Sequence, residues 1–182
     1  TGDPVRIAQA KEAAGRITTP PGELEQRYSK WLVAKAGHML AGLGSIGFAN
    51  LDGLAERAIT RRANEAEAIG RFGGALWDDT QAEAFCQEVL RGLEQDSWQL
   101  PPEQVAERFK AVPELMPHTL SDCLHELAYW NELYRLRNAC DTQGYYENSI
   151  EAHARDWFVF GLLAELRPRN REEARATLRY LM

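Results

Sequence analysis

Gly42-Leu43-Gly44-Ser45-Ile46-Gly47 has the spacing G-x-G-x-x-G, and its reading decides the fold. In a dinucleotide-binding unit those glycines turn a strand sharply into a helix whose amides meet a pyrophosphate, inside a βαβ repeat. The flanks do not supply that setting. Upstream, WLVAKAGHML has helical spacing, with Lys35 and His38 breaking any apolar run. Downstream, the acidic residue expected about 20 positions on would be Glu65 or Glu67, in the helix-forming stretch TRRANEAEAIG. Fourteen glycines in 182 residues make the spacing unremarkable. Gly42, Gly44 and Gly47 therefore predict a helix end and a close approach of two helices, with no phosphate nearby.

The same reading extends along the chain as about seven or eight helices separated by Pro and Gly punctuation. Asp3-Pro4 opens the first, which runs to about Ile17 and stops at Thr18-Thr19-Pro20-Pro21-Gly22. The second begins at Glu23. Asn50 or Asp52 caps a third, and Asp79 or Thr80, with Glu83 close behind, caps a fourth that buries Ala84, Phe85, Val89 and Leu93. A short fifth follows Leu100-Pro101-Pro102-Glu103 and ends before Pro113 and Pro117. From Thr119 to Cys140 a broad apolar face recurs at Leu120, Cys123, Leu124, Leu127, Trp130, Leu133, Tyr134 and Leu136. The seventh helix, capped by Asn148 or Ser149, contains WFVFGLLAEL and reads as buried all round. The last opens on a capping box, Asn170-x-x-Glu173. No period-2 run or Asn-Gly hairpin signals a strand, and no fixed repeat signals a solenoid. The expected fold is all-α, an irregular helical bundle forming one domain over residues 1–182. Because the chain starts at Thr1 without Met, it is open to having been cut from a longer one.

Composition supports a folded chain: 45% of residues are hydrophobic and 26% charged. Three dispersed cysteines, Cys86, Cys123 and Cys140, read as buried thiols of a reducing compartment. With neither a signal peptide nor an apolar run of about 18 residues, a cytoplasmic address without a membrane span is expected. The net charge of −6 argues against nucleic acid or an anionic membrane as the partner of the whole molecule. Charge is uneven, however. Residues 76–107 carry eight acidic groups against Arg91 alone, whereas residues 167–182 carry five arginines against Glu172 and Glu173.

Catalytic and metal constellations fail on particular residues, and no cofactor or metal is expected. His125-Glu126 opens like the H-E-x-x-H of zinc peptidases, but Tyr129 stands where the second imidazole is needed. Pairing Asp122 and His125 with His153 and Asp156 would require ligands separated by roughly 16 Å along antiparallel helices. No G-x-S-x-G elbow is present, and Cys123 and His125 lie two apart on a helix, facing different sides. Arg135-Leu136-Arg137-Asn138 would suit the Arg-rich motif of helical ribonucleases only with a His a few residues on, where Cys140, Asp141 and Thr142 stand.

Several aromatics stand where a core does not need them. Trp77 directly precedes Asp78-Asp79, Trp98 follows Asp96-Ser97, and Tyr145-Tyr146 lie in a connection. Aromatic anchors beside acidic groups are what protein interfaces use for affinity and steering. The expected function is therefore a non-enzymatic protein-binding module of immunity, adaptor or chaperone-like type. Its surface would comprise Trp77, Asp78, Asp79, Glu83, Trp98, Tyr145 and Tyr146, and its partner would be a basic protein. One alternative is an enzyme with a pocket assembled in space around His125, Glu126, Tyr129 and Arg137. The other is a nucleic-acid-binding regulator acting through the terminal arginines.

Overall fold

The computed structural model describes residues 2–47, 50–95, 98–142 and 146–182. The protein is all-α, 74% helical, with no strand among the described residues. Among the described residues eight α-helices account for most of it, in agreement with the helical punctuation of the sequence. The chain divides into two compact units, residues 1–67 and 68–182.

In the first unit, α1 (Pro4–Gly15) starts where Asp3 predicts: the Asp3 carboxylate accepts from the amides of Val5 and Arg6. Helix α2 (Pro21–Ala36) begins two residues before the expected Glu23, because a proline in the first helical turn gives up an amide that would have had no partner anyway. The decisive stretch then folds as a 3₁₀ helix, Met39–Ser45. No strand leads into Gly42. A Cβ at Gly42 would lie 2.8 Å from Ser29 Oγ and 3.2 Å from Val33 Cγ2, so the missing side chain lets this segment lie directly on α2. Gly47 adopts φ +77°, a left-handed conformation that favours glycine. Its amide donates to the Glu25 carboxylate at 3.1 Å. The Asn50 side chain caps α3 (Leu51–Phe72), accepting from the Gly53 amide. Burial in this unit is slight: α1 and α2 bury no residue, and Ser45 and Ala55 are the buried residues described between 2 and 67.

The second unit holds the end of α3, a 3₁₀ turn at Gly73–Ala75, α4 (Gln81–Val89), α5 (Pro102–Lys110), α6 (Leu120–Cys140), α7 (Ile150–Glu165) and α8 (Arg171–Leu181). Helix α7 packs against α4, α5 and α6, and α8 packs against α6. The main core joins Cys86, Leu90, Val105, Phe109, Trp130 and Leu133; a second cluster joins Leu120, Cys123 and Leu127 of α6 to Val159, Leu162 and Leu163 of α7. Thr80 and Thr119 each form a reciprocal capping box, with Glu83 and Asp122 respectively. Ser149 caps α7, its hydroxyl accepting from the Ala152 amide.

Three local expectations are corrected. Helix α4 buries Glu83 and Cys86, with Leu90 buried just after it, and leaves Ala84 exposed, because a charged pair described below draws the Glu83 edge of the helix inward. Helix α7 is not buried all round: Ala152, Arg155, Val159, Leu162 and Leu163 form one buried face, while Trp157 and Phe160 point outward. The last helix has half a capping box. Asn170 accepts from the Glu173 amide, but the Glu173 carboxylate turns away to the Arg169 amide and to the Ser121 amide and hydroxyl in the first turn of α6. Those donors from Arg169 and Ser121 hold Glu173 down to about 2. One carboxylate thereby satisfies an amide at the start of a neighbouring helix, which fixes where α8 meets α6.

Candidate functional site

Arg137 lies in the last turn of α6 and is 4% exposed. Burying a guanidinium is tolerable only if its donors are matched, and here all five N–H groups have acceptors. Nη1 donates to Glu83 Oε1 at 2.5 Å and to the Tyr146 hydroxyl at 2.9 Å. Nη2 donates to Glu83 Oε2 at 3.1 Å and to the Asp78 carbonyl at 2.9 Å, and Nε donates to the Leu76 carbonyl at 2.8 Å. Glu83 accepts from the Thr80 amide as well. Burial alone would raise the Glu83 carboxyl, but the hydrogen bonds from Arg137 and Thr80 outweigh it and keep the group below the usual carboxylate range. Burial raises the Tyr146 phenol. It therefore stays protonated at neutral pH, accepts from Arg137 and donates to Asn148 Oδ1.

The consequence is a surface. The two carbonyls taken by Arg137 belong to residues 76 and 78, so the guanidinium anchors the backbone on either side of Trp77 from below. Trp77 is 53% exposed, and its ring packs on Tyr146 at a centroid distance of 5.7 Å, with Tyr146 packing in turn on Tyr134 at 5.8 Å. Asp78 and Asp79 are exposed beside it, and Asp79 accepts from the Gln87 side chain. Four residues singled out in the sequence, Trp77, Asp78, Asp79 and Tyr146, thus come together. Glu83 belongs to the same group but lies beneath it, 3% exposed, and is not a surface charge. Trp98 is 91% exposed and makes none of these ring contacts. It precedes Gln99 and Leu100, which line a pocket of about 200 Å³ with Val105, Ile150, Ala154 and Phe158. Tyr145 and Asp96 lie outside the described residues. Sequence reading missed Arg137 and Tyr134 as parts of this site. The signal for Arg137 was its position: it follows Trp130 and Leu133 at the spacing of the buried stripe, where an arginine needs a carboxylate partner.

The α6 residues of the enzyme alternative are differently disposed. Glu126 is paired with the buried Arg155, receiving Nε at 2.6 Å and Nη2 at 2.9 Å. The Tyr129 hydroxyl donates to Thr80 Oγ1, and Arg137 is taken as described, while His125 is exposed. The described cysteines are free. Burial pushes the Cys86 thiol up to about 12 and the Cys123 thiol up to about 11, which keeps both protonated and poorly nucleophilic. Among the described residues no three His, Cys, Asp or Glu side chains converge as metal ligands, and no helix is long and apolar enough to cross a membrane. The Asp122 carboxylate accepts from the Thr119 amide in the capping box of α6, and His153 Nε2 accepts from the Trp157 indole at 2.7 Å.

Asp156, by contrast, is under-satisfied. Its buried Oδ1 has no hydrogen-bond partner, and burial raises its carboxyl above the ordinary value. A raised carboxyl favours folding below its unfolded pKa and penalises it once pH rises through the folded value. Asp156→Asn is therefore expected to stabilise the fold by about 1 kcal/mol at pH 7, a few degrees in Tm. The gain should vanish below about pH 4, which thermal melts at the two pH values would check.

Comparison with family models, with curated proteins and with solved structures gave no match.

Proposed function

We propose that the chain is a non-enzymatic helical protein-binding module, of immunity, adaptor or chaperone-like type, whose docking surface is the Trp77-Asp78-Asp79 turn with Tyr146 and Tyr134. One observation carries the reading: a half-exposed tryptophan beside two exposed carboxylates, on a backbone fixed from below by a fully satisfied buried arginine. Interface hot spots combine a large aromatic anchor with charge, and a pre-ordered loop loses less entropy on binding than a mobile one. The carboxylates favour a partner that presents lysines or arginines to this turn, and the acidic surroundings speed its approach.

The commitment of Glu126, Tyr129 and Arg137 to structural contacts supports binding over catalysis. Asp78→Lys combined with Asp79→Lys reverses the surface charge without touching the buried pair. Capture of a basic partner in a pull-down should fall by at least about tenfold, since like charges at an interface cost several kcal/mol, while helicity measured by circular dichroism stays unchanged. Undiminished capture would mean that the acidic turn is only a solvated face. Glu83→Lys is unsuitable for the purpose, because a cation there would face Arg137 in the interior.

A further inference from the structure

The second unit carries a pocket of about 200 Å³ between the start of α5 and the first half of α7, and it shares no residue with the docking turn. Its base is the main core. Leu100 and Val105 are buried there, and Ile150, Ala154 and Phe158 pack against them. Ala154 makes the room, because it stands one helical turn from Ile150 on one side and from Phe158 on the other, where a longer side chain would have filled the gap. An apolar cavity of about 150 Å³ takes up a benzene ring. This one has the size of a single substituted ring.

The pocket is held open. Trp157 lines it and is 62% exposed, a large ring beside an apolar gap that it does not cover. Its indole N–H donates instead to His153 Nε2 at 2.7 Å, the two rings meet edge to face at 6.1 Å, and Phe160 packs on the indole at 6.2 Å. A wall fixed in this way loses little entropy when a ligand arrives.

The polar groups specify the ligand. Among the described residues no Asp, Glu, Lys or Arg lines the pocket, so an ionised ligand would lose its hydration without gaining a counter-charge. The polar side chains of the lining are Gln99 and His153, and both are exposed, which places them toward the mouth. Because His153 Nε2 accepts, the proton of the neutral imidazole sits on Nδ1. Neither that N–H nor the Gln99 carboxamide has a hydrogen-bond partner among the described residues. One free donor beside a carboxamide that also accepts matches a hydroxyl, which takes one hydrogen bond and gives another.

We propose that this pocket binds a small neutral phenol. Its ring lies on Ala154 beside Phe158 and Trp157, and its hydroxyl accepts from His153 Nδ1 and donates to Gln99 Oε1.

The test is titration of the full chain with p-cresol, read by saturation-transfer NMR, with toluene and benzoate at neutral pH as comparison probes. Binding of p-cresol should saturate, and benzoate should bind at least about tenfold more weakly for want of a counter-charge. Ala154→Leu fills the floor and should weaken p-cresol and toluene alike by at least about tenfold. Gln99→Leu, at an exposed position outside the helices, should weaken p-cresol by about threefold or more and leave toluene unchanged. Thermal melts would show that both variants unfold cooperatively, as the unchanged chain does. Absence of saturable p-cresol binding, or binding indifferent to Ala154→Leu in a cooperatively melting variant, would overturn the site. Benzoate binding as tightly as p-cresol, or equal responses of p-cresol and toluene to Gln99→Leu, would overturn the neutral phenol as its ligand.

Discussion

Arg137→Met is expected to destabilise the protein by about 3–5 kcal/mol, the largest effect we anticipate from a single charge-removing change. The substitution strands Glu83 as a buried carboxylate that keeps the Thr80 amide as its donor. It also releases the carbonyls of Leu76 and Asp78 and the Tyr146 hydroxyl. Most of the loss should come from the stranded charge and not from the missing attraction. Glu83→Gln combined with Arg137→Met should therefore recover a good part of it, a double-mutant cycle with a coupling of at least about 1 kcal/mol. Denaturant titrations of the two single variants and the double variant would check this. Losses that simply add would show that the two side chains do not act as a pair. The pH dependence follows from the same pair: a carboxyl held low contributes stability that is present above its unfolded pKa and is lost as pH falls through its folded one. Arg137→Met should thus destabilise less in acid, where Glu83 becomes neutral.

Phe109→Ala should cost a similar amount, about 3–5 kcal/mol, by a different route. Phe109 is fully buried on α5, with Phe158 and Phe85 at ring distances of 5.3 and 6.0 Å. The Arg155 guanidinium lies 4.7 Å from its centroid, sandwiched against the ring while its other side bonds Glu126 and the Leu115 carbonyl. Truncation opens a cavity and also uncovers a cation whose Nη1 already lacks a partner. Phe109→Leu, which keeps most of the volume, should cost under half as much in the same denaturant titration. Equal losses for the two would implicate the ring's contact with Arg155 and not its volume.

The helices were legible because they are local. Asp3, Asn50, Thr80, Thr119 and Ser149 each cap the helix that follows them, and a cap depends on residues two or three positions away. GLGSIG was legible for the same reason, since its neighbours were helical on both sides. The site was legible in part. Trp77, Asp78 and Asp79 announced themselves by being consecutive, whereas Arg137 and Glu83 are 54 residues apart and nothing local ties them. Glu83 read locally as a capping residue and a surface charge, and its role as the buried partner of an arginine went unread. The apolar letters of α7 misled because hydrophobicity does not say how many neighbours a helix will find. Helices α4, α5 and α6 cover one face, leaving Trp157 and Phe160 outward.

Site-specific photo-crosslinking tests the central claim most directly. Trp77 would be replaced by benzoylphenylalanine in the full chain, with Leu178, an exposed position on α8, as the comparison site. The protein-docking reading predicts a discrete crosslinked partner from position 77, absent from position 178 and suppressed when Asp78→Lys and Asp79→Lys are added. No adduct from position 77, or the same adducts from both positions regardless of the lysines, would contradict it.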